Sequence, residues 1–370
     1  MMFKRQIVCY HDKCIDGTAA AAAHTLATCG AVQRPDCDYT YQPINYDTKT
    51  PELFDQFLER NEIGEFESIW FLDFCPKNEI LKHLTDQGKQ VIIIDHHTTA
   101  LEALDDFSSD LLTYVLSYDN KLSGAGLTRL LKMGLDTLDL IKPTEPHQIE
   151  VQVSGQTCIL LTNIKLDLMF EELDEFYNLI RVRDVWDESD PNRKYLADLV
   201  HQYLVHHGCY DIEAFKLFIQ QFEASDDRLK FLEDTMDKAQ LIDDVIRNQV
   251  ENALALGHKV KVDAKNLKNI NVFIGSVPWK LDTMAGDIWS KRFPDEPAIM
   301  IGLTYNHDKN GIAAGLRSNH LIECVHLAKF FDGGGHKQAS GCNMTFLLKE
   351  LPCNPEAINT FLINLIKDIY

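Results

Sequence analysis

The chain lacks any stretch approaching the roughly 20 uninterrupted apolar residues that a membrane-crossing helix needs, which argues against an integral membrane protein. It also lacks a Cys-x-x-Cys pair or any regular cysteine spacing, so its 10 cysteines read as reduced thiols of a cytoplasmic protein. The start, Met1-Met2-Phe3-Lys4-Arg5-Gln6, runs straight into a strand-like segment without an apolar signal block, and the expected location is again the cytoplasm. Positive charge is scarce: Lys and Arg total 36 against 56 Asp and Glu, giving a formal net charge of -20. That balance argues against a broad basic groove for a long nucleic-acid duplex, where phosphate neutralisation dominates affinity. It leaves open a small pocket with its own local charge. Internal repeats and low-complexity linkers are missing as well.

What is present is an ordinary globular mixture, 45% hydrophobic and 25% charged, in 370 residues, which suits two domains better than one core. The first hundred residues alternate apolar strands with helical stretches. Gln6–Tyr10, Ser68–Leu72 and Gln90–Ile94 read as strands; Thr18–Ala27, Glu52–Leu58 and Lys77–Asp86 read as helices. Continuously apolar strands alternating with helices predict an α/β domain with a parallel sheet covered on both faces. Leu122–Met133 and Asp167–Arg183 have helical character, while Glu150–Leu161 is strand-like and reads as a local insertion of hairpin type. Ala214–Leu256 is long, charged and free of Pro and Gly, as a helical connector would be.

After Gly257 the pattern changes. Strand-like runs occur at Val260–Val262, Asn271–Ile274, Ala298–Leu303 and Ile312–Arg317, with helices expected over Leu321–Phe331 and Pro355–Ile369. The expected organisation is an N-terminal parallel-sheet domain over 1–210, a helical connector over 211–256, and a smaller C-terminal α/β domain over 257–370.

All three early apolar strands end in ionisable residues: His11-Asp12 with Asp16 close behind, Asp73, and Asp95-His96-His97. Each alone has a plain explanation, since an Asp after a strand ordinarily caps a turn or helix. Ligands of open parallel sheets, however, bind outside the carboxyl ends of the strands, so three such ends deliver carboxylates and imidazoles to one region. Crowded carboxylates repel and desolvate badly unless cations neutralise them. Oxygen donors with imidazoles suit Mn²⁺ or Mg²⁺ better than a thiolate-rich zinc site does. Two such ions roughly 3.5–4 Å apart activate a water for in-line phosphoryl displacement without a protein nucleophile.

The run Ile93-Ile94-Asp95-His96-His97 resembles the signature of the DHH phosphoesterase superfamily, which includes RecJ-type exonucleases, oligoribonucleases (nanoRNases), cyclic-dinucleotide phosphodiesterases and inorganic pyrophosphatases. His11 through Asp16-Gly17 resembles the family's first motif, Leu72-Asp73-Phe74 the second, and Arg183-Asp184-Val185-Trp186 the fourth. Ser123-Gly124-Ala125 lies at the helix start that follows the Asp-His-His loop. Asp332-Gly333-Gly334-Gly335-His336-Lys337-Gln338-Ala339-Ser340-Gly341 resembles the glycine-rich motif of the DHH-associated C-terminal domain, and Gly315-Leu316-Arg317-Ser318 its arginine-bearing strand. The matches span His11 to Gly341. A glycine run of this kind allows backbone N–H groups to approach a phosphate.

The resemblance implies that His11, Asp16, Asp73, His97 and Asp184 are metal ligands, with Asp73 bridging two Mn²⁺ ions (Mg²⁺ or Co²⁺ as substitutes). It implies that Asp95 coordinates or orients the histidines, that His96 contacts the scissile phosphate, and that Arg317, Gly333, Gly334, Gly335 and His336 bind substrate. Many relatives carry an acid where Cys14 stands, so Asp12 and Cys14 are open as ligands. The expected activity is hydrolysis of short oligonucleotides or small nucleotides, exonuclease-like, with no long-duplex or membrane partner; a homodimer stays open. Cyclic dinucleotides and a 3′-phosphorylated adenosine monophosphate are alternative substrates. A nucleotide-binding regulatory protein with a degraded metal site is the alternative of another class.

Overall fold

The computed structural model describes residues 4–29, 37–45, 48, 50–105, 107–131, 143–153, 156–166, 173–278, 281–306, 311–331, 333–335, 337–344 and 354–370. The chain divides into two compact units, Met1–Gln240 and Leu241–Tyr370. No described helix is long and apolar enough to cross a membrane.

Five strands of the N-terminal unit run parallel: β1 (Lys4–His11), β2 (Cys37–Ile44), β3 (Ser68–Leu72), β4 (Gln90–Asp95) and β5 (Leu112–Ser117), in the order β2-β1-β3-β4-β5. The side chains of β3 and β5 are buried end to end, as continuous apolar runs require when both faces are covered. Alternation along the strands sends Val8, Trp70 and Ile92 to one face and Ile7, Ile69, Phe71 and Ile93 to the other. On the first face lies α1 (Ile15–Cys29), whose fully buried Ala19–Ala23 run lets the helix sit close to the sheet. On the second lie α2 (Pro51–Arg60) and α3 (Asn78–Asp86). The chain leaves β1 for β2 on one side and returns to β3 on the other. The strand order therefore reverses between β1 and β3, and a crevice opens outside their carboxyl ends.

Past α4 (Thr98–Asp105) and α5 (Gly124–Leu130), the strand-like segment expected as an insertion is a hairpin, β6 (His147–Val153) and β7 (Gln156–Thr162). It is part of the main sheet: β7 pairs antiparallel with β5, giving seven strands in the order β2-β1-β3-β4-β5-β7-β6. The sheet is thus parallel at its centre and antiparallel along one edge. Asn163 secures the join by accepting from Tyr114 N at 2.9 Å and donating to the Leu112 carbonyl at 2.7 Å.

Helices α6 (Glu175–Asp184), α7 (Pro191–His206) and α8 (Ile212–Ala224) follow in this unit. The expected continuous helix over Ala214–Leu256 is instead two, α8 and α9 (Arg228–Leu256). The break needs no Pro or Gly. Asp227 accepts from Lys230 N at 3.0 Å, capping the start of α9, and Ser225 Oγ donates to the Asp227 carbonyl at 3.0 Å. Phe215, Phe218, Ile219 and Phe222 of α8 pack with Phe176 in the N-terminal core.

The described residues of the C-terminal unit form a six-stranded sheet of β8 (His258–Val262), β9 (Ile270–Ser276), β10 (Ala298–Asn306), β11 (Gly311–Ser318), β12 (Gly334–Gly335) and β13 (Ala339–Asn343), in the order β12-β13-β11-β10-β9-β8. One face packs against α11 (Val325–Phe330) and α12 (Pro355–Ile369); α10 (Asp282–Lys291) covers the other through Ala285 and Trp289. The helix expected over Leu321–Phe331 starts only at Val325, because Asn319 accepts the Leu321 and Ile322 N–H groups in a turn.

Candidate metal centre

Sheet geometry alone brings the acidic strand ends together. His11 is the last residue of β1; Asp73 follows β3, its N–H donating to the Ile94 carbonyl at 2.8 Å and extending the ladder to β4; Asp95 ends β4. Although β2 intervenes in sequence, β1, β3 and β4 are adjacent in the sheet. Asp16 comes from the first turn of α1, and Asp184 from the last residue of α6. Two glycines make the convergence sterically feasible. A Cβ on Gly17 would lie 2.6 Å from the His11 carbonyl oxygen, and one on Gly124 would lie 2.6 Å from Asp73 Cβ. Lys13, Asp73, Asn120 and Trp186 all take positive φ, between 53° and 54°, on the loops around the cluster. Backbone strain thus concentrates where the side chains converge.

The potential donor atoms form three overlapping groups, each with atoms within 4.8 Å of one another: His11 with Cys14 and Asp73; Asp16 with His96 and Asp184; and Asp73 with Asp95, His96 and His97. Asp73 and His96 each belong to two of them. His96 Nε2 lies 3.2 Å from Asp73 Oδ1 and 3.1 Å from Asp184 Oδ2, and His11 Nδ1 lies 3.5 Å from Asp73 Oδ2. Asp95, fully buried, accepts through Oδ1 from His96 N at 2.7 Å, His97 N at 3.2 Å and His97 Nδ1 at 2.8 Å, so it holds the backbone of both histidines and orients the His97 ring. Asn120 Oδ1 accepts from His96 Nδ1 at 2.8 Å, which fixes that nitrogen as a donor and aims Nε2 at the two carboxylates. Asp16 accepts from Ala125 N at 3.1 Å at the start of α5.

Charge in this site is unbalanced. Burial, and then the Asp184 and Asp73 carboxylates, push the Asp16 carboxyl well above the usual carboxylate range. Burial opposes ionisation of Asp73 too, but the imidazoles of His11 and His96 outweigh it and hold that carboxyl well below its ordinary value. Burial disfavours a charged His96, yet Asp184 and Asp73 raise its pKa well above normal; His97, against the same cost, is raised to about 9 by Asp95 and Asp73. Burial and the neighbouring aspartates also push the Cys14 thiol far up.

This donor set fits a divalent metal. Both Asp73 oxygens, Asp16 Oδ1, Asp95 Oδ2, Asp184 Oδ2 and His96 Nε2 are buried without a well-formed hydrogen bond. Buried polar atoms are ordinarily satisfied, and this many orphaned oxygens around shared imidazoles is the environment a hard cation completes. His11, Asp16, Asp73, His97 and Asp184 all fall within these groups, as do Cys14, His96 and Asp95. Asp12 does not. Its N–H donates to the Ile44 carbonyl, and its carboxylate lies 3.9 Å from Lys13 Nζ.

Of the residues expected to bind substrate in the C-terminal unit, Arg317, Gly334 and Gly335 line a cavity of about 350 Å³, together with Asp282, Thr304 and Ser340 among others, and Gly333 does not line it. Arg317 pairs with Asp282 at 3.0 Å and donates to Thr283 Oγ1 at 2.9 Å. The three glycines differ. A Cβ on Gly333 would lie 2.3 Å from the Gly341 carbonyl oxygen, and Gly335 has φ 134°, whereas a Cβ on Gly334 would meet nothing within 4 Å. Two are thus required by the strand pairing, and only Gly334 faces open space. Asp332 and His336 lie outside the described residues.

Asn120 and Asp282 went unread in the sequence. Asn120 follows β5, another parallel strand end, so identifying β5 would have found it. Asp282 carries no local signal, because its partner Arg317 is distant in the chain.

No protein-family model matches the chain, and no curated protein is similar to it. Among solved structures, it is similar to an exonuclease RecJ bound to manganese (15% identity, 98% of this chain and 90% of that chain, TM-score 0.48). It is also similar to an exopolyphosphatase-related protein from Bacteroides fragilis (14% identity, 98% and 92%, TM-score 0.41). A third is the pGpG-specific phosphodiesterase PggH from Vibrio cholerae (10% identity, 99% of each chain, TM-score 0.42).

Proposed function

We propose that this chain is a divalent-metal-dependent phosphodiesterase that hydrolyses short oligonucleotides or small nucleotides. The buried cluster at the β1–β3–β4 ends carries the reading: five of its carboxylate oxygens, on Asp16, Asp73, Asp95 and Asp184, have no well-formed hydrogen bond, and the His96 imidazole lies between Asp73 and Asp184. The motif resemblance to the DHH phosphoesterase superfamily supports the same chemistry on the same residues.

His11, Cys14 and Asp73 would hold one Mn²⁺; Asp16, His96 and Asp184 would hold a second, with His97 contributing to the shared group around Asp73. Such ions, when bound, supply charge neutralisation and activation of a water for attack on phosphorus. The protein does the positioning. Asp95 holds the backbone of both histidines and the ring of His97 through three hydrogen bonds, and Asn120 holds the ring of His96. Cys14 places a donor atom where relatives carry an acid, so the first site keeps three donors. Within the C-terminal unit, Arg317 and Gly334 are the candidates for substrate contact.

The test is incubation of the protein with Mn²⁺ and a 5′-phosphorylated dinucleotide, with Asp73→Ala as the blank. Mononucleotides released by the wild type alone support the reading. Absence of release from the dinucleotide and from cyclic dinucleotides contradicts it.

A further inference from the structure

Beside the acidic cluster lies a cleft of about 490 Å³, formed by the loop after β5, the start of β7 and the end of α6. Its size is within the roughly 300–1,000 Å³ of small-molecule sites. The hairpin that supplies one wall lies outside every motif that places the metal ligands. It grips the β5 loop: Lys121 Nζ donates to the Thr157 carbonyl at 2.7 Å, and Ile159 N donates to Asp119 Oδ2 at 3.2 Å. From the other wall the buried Arg181 donates through Nη1 to the Lys121 carbonyl at 3.1 Å and through Nη2 to Asp187 at 2.9 Å.

The charges here are already matched, Lys121 with Asp119 at 3.3 Å and Arg181 with Asp187. The cleft is therefore near neutral and offers no unpaired cation to a phosphate. What it does offer are carboxamides. Asn120 spends Oδ1 on His96 and keeps Nδ2 as a donor, and the half-buried Gln156 amide makes no hydrogen bond among the described residues. Neutral amide groups of this kind read the donor and acceptor edges of uncharged heterocycles and sugars. Asn120 also sets the position: it lines the cleft and touches His96, which lies 3.2 Å from Asp73.

We propose that this cleft is a nucleoside subsite, taking the base and sugar on one side of the scissile phosphate. The inference rests on the phosphodiesterase reading of the adjacent cluster, and it makes the hairpin a substrate-selecting element for nucleosides over simple phosphate diesters.

Gln156→Ala removes the free amide and Gln156→Trp fills the cleft; neither touches the metal cluster. Two measurements apply. Calorimetry of the metal-free protein with each of the four ribonucleosides should show at least one that binds, weakened tenfold or more by Gln156→Trp. With Mn²⁺, the KM for a 5′-phosphorylated dinucleotide should rise about fivefold in Gln156→Ala, the loss of one hydrogen bond, and further in Gln156→Trp. Hydrolysis of bis(p-nitrophenyl) phosphate, which has no nucleoside, should stay unchanged. Failure of all four nucleosides to bind, or binding and KM indifferent to Gln156→Trp, overturns the subsite. If the wild type cleaves neither diester while a nucleoside still binds in a Gln156-dependent way, the hydrolase reading fails and the subsite stands.

Discussion

In the C-terminal unit the Asp282 carboxylate faces the Arg317 guanidinium at 3.0 Å, whereas in the N-terminal unit four aspartates converge with only imidazoles between them. Both regions gather acids at the ends of strands or helices. In the first, a permanent cation lies within the protein, and Asp282, although burial raises its pKa, is opposed by Arg317. In the second, burial and then the acidic neighbours push the Asp16 pKa up, while Asp184 and Asp73 raise that of His96 against its burial. Among the described residues, the ion pairs of these aspartates are all with histidines, never with Arg or Lys. A third region isolates burial itself. His24, fully buried against Trp70 with Tyr41 Oη at 2.9 Å, is pushed down to about 3 by desolvation alone. Histidines in one unit thus move in opposite directions, and the difference is the neighbouring carboxylates.

The strongest break in this contrast is removal of the shared acid. Asp73→Asn should abolish metal-dependent turnover, by a thousandfold or more, and eliminate stabilisation by Mn²⁺. An ion at about 100 times its Kd stabilises the wild type by about 2.7 kcal/mol, which scanning calorimetry of the two proteins with and without Mn²⁺ would read as a shift of several degrees. Next is Gly124→Ala, which leaves every ligand in place but drives a methyl into Asp73. A displacement of about 1 Å costs roughly 100-fold in rate, so kcat should fall by about that factor while the circular dichroism spectrum is preserved.

The paired region predicts a different pattern. Arg317→Leu leaves Asp282 uncompensated and should destabilise the C-terminal unit by about 3 kcal/mol. Adding Asp282→Asn should recover part of that loss, which a urea-unfolding double-mutant cycle would measure. If the double variant is no better than the single, Asp282 and Arg317 are not a balanced pair. The smallest effect concerns His24. Its folded pKa is below its unfolded value, so the unfolded chain binds the extra proton and stability falls as pH drops from about 6.5 toward 3. At pH 5 the penalty is about 2 kcal/mol. His24→Asn should flatten the pH dependence of unfolding between pH 7 and 5 by that amount.

Much of the central sheet was legible because β1, β3 and β4 each carry an unbroken apolar run, Ile7–Tyr10, Ile69–Leu72 and Val91–Ile94, and the ionisable residues at their ends stand out against that background. The edge strand β2 was not: Tyr39 and Tyr41 are only partly buried and Pro43 interrupts its pattern, so nothing in its local composition separates it from a loop. In β5, Thr113 and Ser117 break the apolar run although both are buried, and with the strand its Asn120 loop was lost. The division of Ala214–Leu256 into two helices was hidden because a serine and two aspartates can cap a helix without either standard breaker. In the site, residues directly following strands could be read from position alone. Asn120 and Asp282 could not, since their roles come from His96 and Arg317, brought near only by tertiary packing.

The central claim is that the cluster at the β1–β3–β4 ends is completed by cations. Equilibrium dialysis of the metal-free protein against Mn²⁺, followed by elemental analysis of wild type and Asp73→Asn, tests it without assuming any substrate. The account predicts up to two tightly held ions in the wild type and their loss in the variant. Less than one ion bound by the wild type, or equal binding by both proteins, would contradict it.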